Sequence, residues 1–283
     1  MPDYQTLVDS WVADVEFERL SAAKRALKAI IVNPAANYLP APMLRGILRL
    51  SRSELAAANW SDPGGWRSMV ISYKGNCPQI SDKVLVGAGT MPMALRNRRK
   101  LGARILARLI DRCPNPPAHV LCLGAGPGHI ITDALCQAKA NATATLVDIS
   151  SDAFEYGTRL AQERGLADRV RFVKSDVRDI APLLERPPSI VKMLGICEYL
   201  TDEQISEIVG AVASVTPRGA SIVFNCLSPA HGTDRFFRRV FGLNMIYRNQ
   251  AQLQALLAPR GWGDFAAVAE PLGVYQVVVA HRT

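Results

Sequence analysis

The chain has 283 residues, 49% of them hydrophobic, and a formal net charge of +8 from 33 Lys and Arg against 25 Asp and Glu. That length can bury a large core in one big domain or in a main domain with a smaller one attached, and the composition excludes a disordered chain. The positive balance permits attraction to an anionic partner without naming one; the arginines are dispersed, with no aromatic-rich basic repeat of the kind that marks a nucleic-acid surface.

The N-terminal MPDYQTLVDSWVADVEFERL carries acidic residues where a secretion signal needs basic ones, and no window of 18 apolar residues occurs, so no membrane span and a cytoplasmic location are expected. Residues 5–32 read as helix on a broken apolar stripe of Leu7, Trp11, Val15, Leu20, Leu27 and Ile31, stopped by Pro34. A second helical piece is expected over 41–58. Residues 59–84 have the Gly, Pro, Asp and Ser density of a long loop with at most one short strand, at 68–73; such loops in compact proteins serve as lids or binding loops. Tyr73, Lys74 and Asn76 fall in it.

A helix over 92–112 follows. Arg104, Arg108 and Arg112 lie four apart and share one face beside a stripe of Leu101, Ile105 and Leu109, which reads as a solvated basic face, with Arg96 placed for cofactor-side contact. CPNPP is then a rigid connector into a second unit. The expected division is a mainly helical cap and lid over 1–114 and a sheet domain over 115–283.

From 118 onward apolar runs alternate with amphipathic ones. Strands are expected at 118–123, 143–148, 170–174, 189–194, 219–225 and 273–280, with a further strand and turn before the last. Helices are expected at 128–139, 151–164, 202–216 and 249–258, an α/β arrangement. Ser150 and Thr201 are placed to cap two of these helices, and TDEQ at 201–204 has capping-box spacing.

The first strand runs into a glycine-rich turn, HVLCLGAGPGHI, with Gly124, Gly126 and Gly128 allowing close approach of a ligand to the backbone and Pro127 suited to a first helical turn. About 20 residues further on, Asp148 closes the second strand, placed to accept hydrogen bonds from ribose hydroxyls, and Asp176 follows the third. Ligands of open α/β sheets bind along that edge. Cys77, Cys113, Cys122, Cys136, Cys197 and Cys226 are scattered without CxxC spacing and read as free thiols, and the four histidines form no metal-ligand pattern.

The ordered motifs resemble the class I S-adenosylmethionine-dependent methyltransferases over residues 115–281, and the segment 143–203 together with IYRNQAQLQALLAPRGW looks like a poorly characterised bacterial group among them. The resemblance implies a seven-stranded Rossmann-like sheet, its last strand inserted antiparallel, under an N-terminal helical cap. It implies S-adenosylmethionine as cofactor, with Gly124, Ala125, Gly126 and Gly128 approaching the methionine portion, Asp148 binding the ribose, Asp176 with Val177 flanking adenine, and Ile149 also among the cofactor-binding residues. Gly195, Glu198 and Tyr199 follow the fourth strand, where related folds form the floor between cofactor and substrate. Glu198 is placed to bind a substrate ammonium or take a proton, and Tyr199 to pack on the sulfonium, to donate a hydrogen bond, or simply to pack under the next helix. Asn225 at the fifth strand end can orient a substrate, and Tyr73 and Tyr247 lie in segments able to close the site. Arg248 reads either as a carboxylate clamp or as a solvated surface arginine.

The expected activity is methyl transfer to a small-molecule acceptor without a metal. Nucleic acid is not the expected partner, because no additional binding module is present; a homodimer is compatible with the sequence. A nicotinamide dehydrogenase fits less well, since its turn is GxGxxG. Aminobutyryl transfer or cyclisation releasing methylthioadenosine, and a non-catalytic binding protein on the same sheet, are the alternatives.

Overall fold

The computed structural model describes residues 3–283. Seven strands form one sheet: β1 (Ala118–Leu123), β2 (Ala142–Asp148), β3 (Val170–Lys174), β4 (Ile190–Met193), β5 (Ser221–Leu227), β6 (Trp262–Ala269) and β7 (Tyr275–Arg282), in the order β3-β2-β1-β4-β5-β7-β6. β1 to β5 run parallel and β7 pairs antiparallel with both β5 and β6. This is the Rossmann-like sheet expected from the sequence.

The central strands read as unbroken apolar runs because both of their faces are covered. Leu121, Val191 and Phe224 belong to one layer of core, with Ile205, Val209 and Leu253 of the helices beneath; Val120, Cys122 and Val223 belong to the other, with Leu101, Ile105, Ile131 and Leu135. The helices of this half are α9 (His129–Gln137), α10 (Ser151–Glu163), α11 (Asp202–Val215) and α13 (Gln250–Leu257), preceded by the single turn α12 (Asp234–Phe236). Thr201 and Gln204 form the expected capping box. Ser150 occupies its cap position, but its hydroxyl takes no backbone N–H; the carboxylate of Asp148 binds the Ser150 N–H instead, at 2.9 Å. Pro127 precedes α9 rather than opening it, because Gly128 in the left-handed region is the cap.

The N-terminal part is helical, though not as expected. The helix read over 5–32 is three pieces, α1 (Tyr4–Val12), α2 (Ala22–Leu27) with a π turn at Lys28–Val32, and α3 (Asn33–Tyr38), with irregular backbone between α1 and α2. Pro34 does not stop the helix: the backbone stays helical from Ala22 through the π turn to Tyr38, and Pro34 falls just after that turn, where the i→i−4 ladder is already interrupted. Of the proposed stripe Trp11 and Leu20 are buried, while Leu27 and Ile31 are exposed. The piece read over 41–58 is α4 (Ala41–Leu50) and α5 (Glu54–Ser61), broken where Arg52 takes a positive φ of 52°.

The long loop expected over 59–84 is mostly helix: α6 (Trp66–Lys74) and the turn α7 (Ile80–Asp82), leading through a π turn at Lys83–Gly87 to α8 (Thr90–Asp111). No strand forms at 68–73. Ser68 and Ser72, read as loop formers, donate their hydroxyls back to the carbonyls of Gly65 and Ser68, which lets a serine be buried inside a helix. Val8 and Trp11 of α1 pack into the same core as α8 and the sheet, and Gln5 bonds both the N–H and the carbonyl of Ala267 on β6. No helix of the described residues is long and apolar enough to cross a membrane.

Candidate active site

The carboxyl ends of β1, β2 and β4 open into a cavity of about 450 Å³. Its floor is the turn after β1. Gly124, Gly126 and Gly128 all have positive φ, at 56°, 52° and 82°. At Gly128 a Cβ would stand 2.4 Å from Leu146 Cδ2, so glycine there lets the turn pack on β2; at Gly126 a Cβ would meet only Trp66 Cβ, at 3.6 Å, so that backbone faces open space. The turn is tied to the second strand by the Gly126 N–H, which donates to Asp148 Oδ2 at 2.7 Å. Asp148 thus has one hydrogen bond on each oxygen, from Gly126 and from Ser150, with a lone pair left on each.

The roof is α6 and the loop before it, with Gly64, Trp66, Met69 and Tyr73 facing the glycine turn. It is pinned across the cavity to the sheet domain. Arg67 pairs with Asp152 on α10 at 2.7 Å, the Trp66 ring lies 5.7 Å from that of Tyr156, and the Tyr73 ring lies 5.4 Å from His129 and 4.9 Å from the Arg99 guanidinium. A second, adjoining cavity of about 260 Å³ shares Gly124, Asp148, Ile149, Ile196 and Tyr199 with the first and continues to Asp176 and Val177. The result is an elongated cleft with Asp148 at its middle. Asp176 holds the Arg178 guanidinium at 2.6 and 2.9 Å, and this hydrogen-bonded pair keeps its carboxyl down at about 2.

Every residue proposed for the cofactor lines one of these two cavities: Gly124, Ala125, Gly126, Gly128, Asp148, Ile149 and Gly195 the larger, Asp176 and Val177 the smaller. The five proposed catalytic side chains separate. Tyr73 and Tyr199 are in the cavity wall. Glu198 and Asn225 lie beneath it: Glu198 is 3% exposed and accepts from Arg98 Nη1 at 3.0 Å, and Asn225 donates to Glu198 at 3.3 Å while its Oδ1 accepts the Gly195 N–H at 2.7 Å. Asn225 is inside β5 rather than at its end.

Tyr247 does not reach the cleft. Its hydroxyl donates to Asp234 at 2.5 Å and lies 3.0 Å from His231 Nε2, closing a partly buried cluster that ties the 229–241 insert to the strand end. Arg248 is buried, not a surface arginine: it pairs with Asp202 at 2.7 Å and donates to the carbonyls of Cys197 and Leu200, holding the turn that carries Glu198 and Tyr199.

Of the face expected to be solvated, Arg112 is exposed and Arg104 and Arg108 are half-buried, whereas the arginines nearer the start of the helix turn inward. Arg96 makes a two-pronged pair with Glu18 at 2.6 and 2.7 Å and donates to the carbonyls of Ser72 and Val86; Arg99 holds Asp133, Arg104 holds Asp14, and Arg98 is wholly inside. These arginines fasten the N-terminal segments to the sheet, and Arg96 does not line the cavity.

Two cations in the cavity wall were given no site role by the sequence reading, Lys192 on β4 and Arg98 on α8. A lysine inside a strand and an arginine inside a basic run both read as surface residues. The available signal was the position of Lys192 in the otherwise apolar run IVKML.

Burial pulls the imidazoles of His119, His129 and His231 down to about 4 from an ordinary 6.5. The unfolded chain therefore takes up these protons first as pH falls. Their contribution to stability is complete above about pH 6.5 and is lost as pH drops through that value toward about 4, on the order of 3 kcal/mol for each group. The urea midpoint is expected to be level between about pH 8 and 7 and to fall steeply below about pH 6.5; a midpoint unchanged between about pH 7 and 5 would contradict it.

A family model described as "Putative methyltransferase" matches residues 89–282. No curated protein is a sequence match to the chain. Among solved structures the fold is similar to a possible exported protein from Bordetella parapertussis, at 18% identity and a TM-score of 0.70, covering 93% of this chain and 97% of that one. It is also similar to magnesium protoporphyrin IX methyltransferase from Synechocystis PCC 6803 with bound S-adenosylhomocysteine, at 16% identity and a TM-score of 0.58, covering 84% and 99%. A third is N,N-8-amino-8-demethyl-D-riboflavin dimethyltransferase from Streptomyces davawensis, at 15% identity and a TM-score of 0.50, covering 80% and 71%.

Proposed function

The chain belongs to the methyltransferase family whose model spans residues 89–282, and from that premise we propose that it transfers a methyl group from S-adenosylmethionine to a small-molecule acceptor in the cytoplasm. The observation that carries the proposal is the cleft itself. A glycine turn open at Gly126, a carboxylate at Asp148 with free lone pairs, and a roof of aromatic and thioether side chains meet at the carboxyl edge of the sheet.

These residues fit the cofactor. Asp148 would take the ribose hydroxyls on its remaining lone pairs, the Gly124–Gly128 turn would lie along the amino-acid arm, and Val177 and Ile149 would bracket the adenine in the adjoining cavity. Bound S-adenosylmethionine supplies a methyl group made electrophilic by its sulfonium. The protein's own part is to hold and enclose. Trp66, Met69 and Tyr73 exclude water from above, and Tyr199 places a hydroxyl beside Gly64 on the wall shared by both cavities. Asn225 holds the Gly195 N–H and Glu198, so that Glu198 and Asn225 act on the cavity by fixing the loop after β4. Catalysis then comes mainly from orientation, which can supply several orders of magnitude in rate.

A small acceptor is supported by the arginines of α8, four of which are charge-paired with Glu18, Glu198, Asp133 and Asp14, which narrows the basic face left for nucleic acid. Free cysteines, four of them buried, suit a reducing compartment.

The test is mass spectrometry of the purified protein with S-adenosylmethionine, with and without a cellular small-molecule extract. S-adenosylhomocysteine together with an acceptor heavier by one methylene unit is expected. Methylthioadenosine above the enzyme-free rate would overturn methyl transfer in favour of reaction at the aminobutyryl arm.

A further inference from the structure

Lys192 is a charged residue in the central strand of a parallel sheet. It is 4% exposed, its neighbours along β4 are Val191 and Met193, and its side chain lines the larger cavity. No hydrogen bond or ion pair holds its ammonium among the described residues. Directly across from it on β1 is Cys122, on the same face. Burial pushes that thiol up to about 12, so it is neutral and gives Lys192 no counter-charge.

The other cation here is Arg98. Its Nη1 is spent on Glu198, its Nε is buried without a partner, and its Nη2 lies against Gly195, where a Cβ would come within 2.9 Å of it. Neither carboxylate nearby is in hydrogen-bond contact with Lys192: Glu198 faces Arg98 and Asn225, and Asp148 is held by the Gly126 and Ser150 N–H groups. The Lys192 ammonium is therefore buried at the inner end of the cavity with no hydrogen-bonded partner, a desolvation cost that a bound anion would offset.

We propose that Lys192, beside the guanidinium of Arg98, anchors a carboxylate at the inner end of the cavity. Burial and, after it, the nearby Arg98 charge pull down the proton affinity of Lys192 when no anion is there, and a carboxylate settling beside it reverses the effect. The cofactor reading above is the basis for two sources of that group: the carboxylate of the amino-acid arm, or the carboxylate of an acidic acceptor. Ammonium and guanidinium together select for an anion and against an amine, so an acceptor entering at this end would be an acid.

The experiment is calorimetric titration of wild type and Lys192→Met with S-adenosylhomocysteine and with methylthioadenosine, which lacks the carboxylate. Methionine fills nearly the same volume and removes a buried charge, so the variant is expected to fold at least as stably, which its melting temperature checks. If the carboxylate is the cofactor's, Lys192→Met weakens S-adenosylhomocysteine about 10- to 100-fold and leaves methylthioadenosine within about twofold. If it is the acceptor's, neither nucleoside is affected, while acetate raises the melting temperature of S-adenosylhomocysteine-saturated wild type and not of the variant. Equal weakening of both nucleosides, or no difference between the proteins in any titration, overturns the anchor while leaving the cofactor reading in place. Wild type that binds neither nucleoside overturns the cofactor reading.

Discussion

Asp148→Ala is expected to weaken S-adenosylhomocysteine binding about 100-fold or more. The carboxylate sits where the two cavities meet and is the one acidic group lining both. Hydrogen bonds from ribose hydroxyls to a charged acceptor contribute about 1.5–3 kcal/mol each, and alanine removes both together. It also frees the Gly126 and Ser150 N–H groups, so the floor of the cleft loses the tie between the turn after β1 and the end of β2. Both groups border the open cleft, so water replaces much of what they lose and the cost in stability is smaller, about 1–2 kcal/mol. Calorimetric titration separates the two effects when read beside urea unfolding. Asp148→Asn keeps one acceptor oxygen and is expected to fall between alanine and wild type. Unchanged affinity in Asp148→Ala would remove the ribose role.

Glu198→Ala is expected to be the most damaging single change to stability, lowering the unfolding free energy by about 3–5 kcal/mol. Glu198 is the counter-ion of Arg98, both are at most 3% exposed at the side chain, and Arg98 lies 4.4 Å from the centre of the Tyr275 ring. Removing the carboxylate leaves that guanidinium charged, since arginine does not give up its proton, and leaves Lys192 near it as a second buried cation. The double variant Arg98→Met/Glu198→Leu removes the charge pair as a whole and is expected to recover most of the loss, because well-packed apolar residues replace a buried pair at little cost. Urea unfolding of the two variants decides the point: a loss below about 1 kcal/mol in Glu198→Ala would mean that water reaches the pair and screens it.

Both residues were visible in the sequence, and for Asp148 the expected placement and the structural one coincide, at the end of β2 beside the glycine turn. The role read for Glu198 rested on its distance beyond β4, which correctly put it near the cavity but said nothing of Arg98. The difference is separation along the chain. Asp148 and Gly126 are 22 residues apart within one strand-helix-strand unit, whereas Arg98 and Glu198 are 100 apart and meet only because α8 packs across the sheet. The same reason explains Tyr247 and Arg248. Both were read from a segment placed near the cleft, and the partners that draw them elsewhere, Asp234 and His231 for one and Asp202 for the other, could not be paired from residue type alone.

The N-terminal region was the least legible part. Glycine, proline and serine density made 59–84 look like loop, yet serine hydroxyls can be satisfied on preceding carbonyls, and Met69 and Tyr73, four apart, gain burial only as a helix over the cleft. Tertiary packing outweighed local propensity there. Along residues 5–32 the stripe was too irregular to hold one straight helix, and the chain breaks between Val12 and Ala22.

Local pattern alone was enough for the α/β class, the sheet strands, the glycine turn, the capping box at Thr201 and the line of Gly124, Asp148 and Asp176 along one sheet edge. Each of these is encoded in neighbouring residues, by strand apolarity, turn chemistry and helix periodicity, and each survives whatever packs around it. Only the folded chain decided which charges are inside. Lys192 and Arg98 are ordinary surface types, and their burial arises where α8, β4 and β5 converge, so the cost of their desolvation and the partner that offsets it belong to the packed interior rather than to any stretch of sequence.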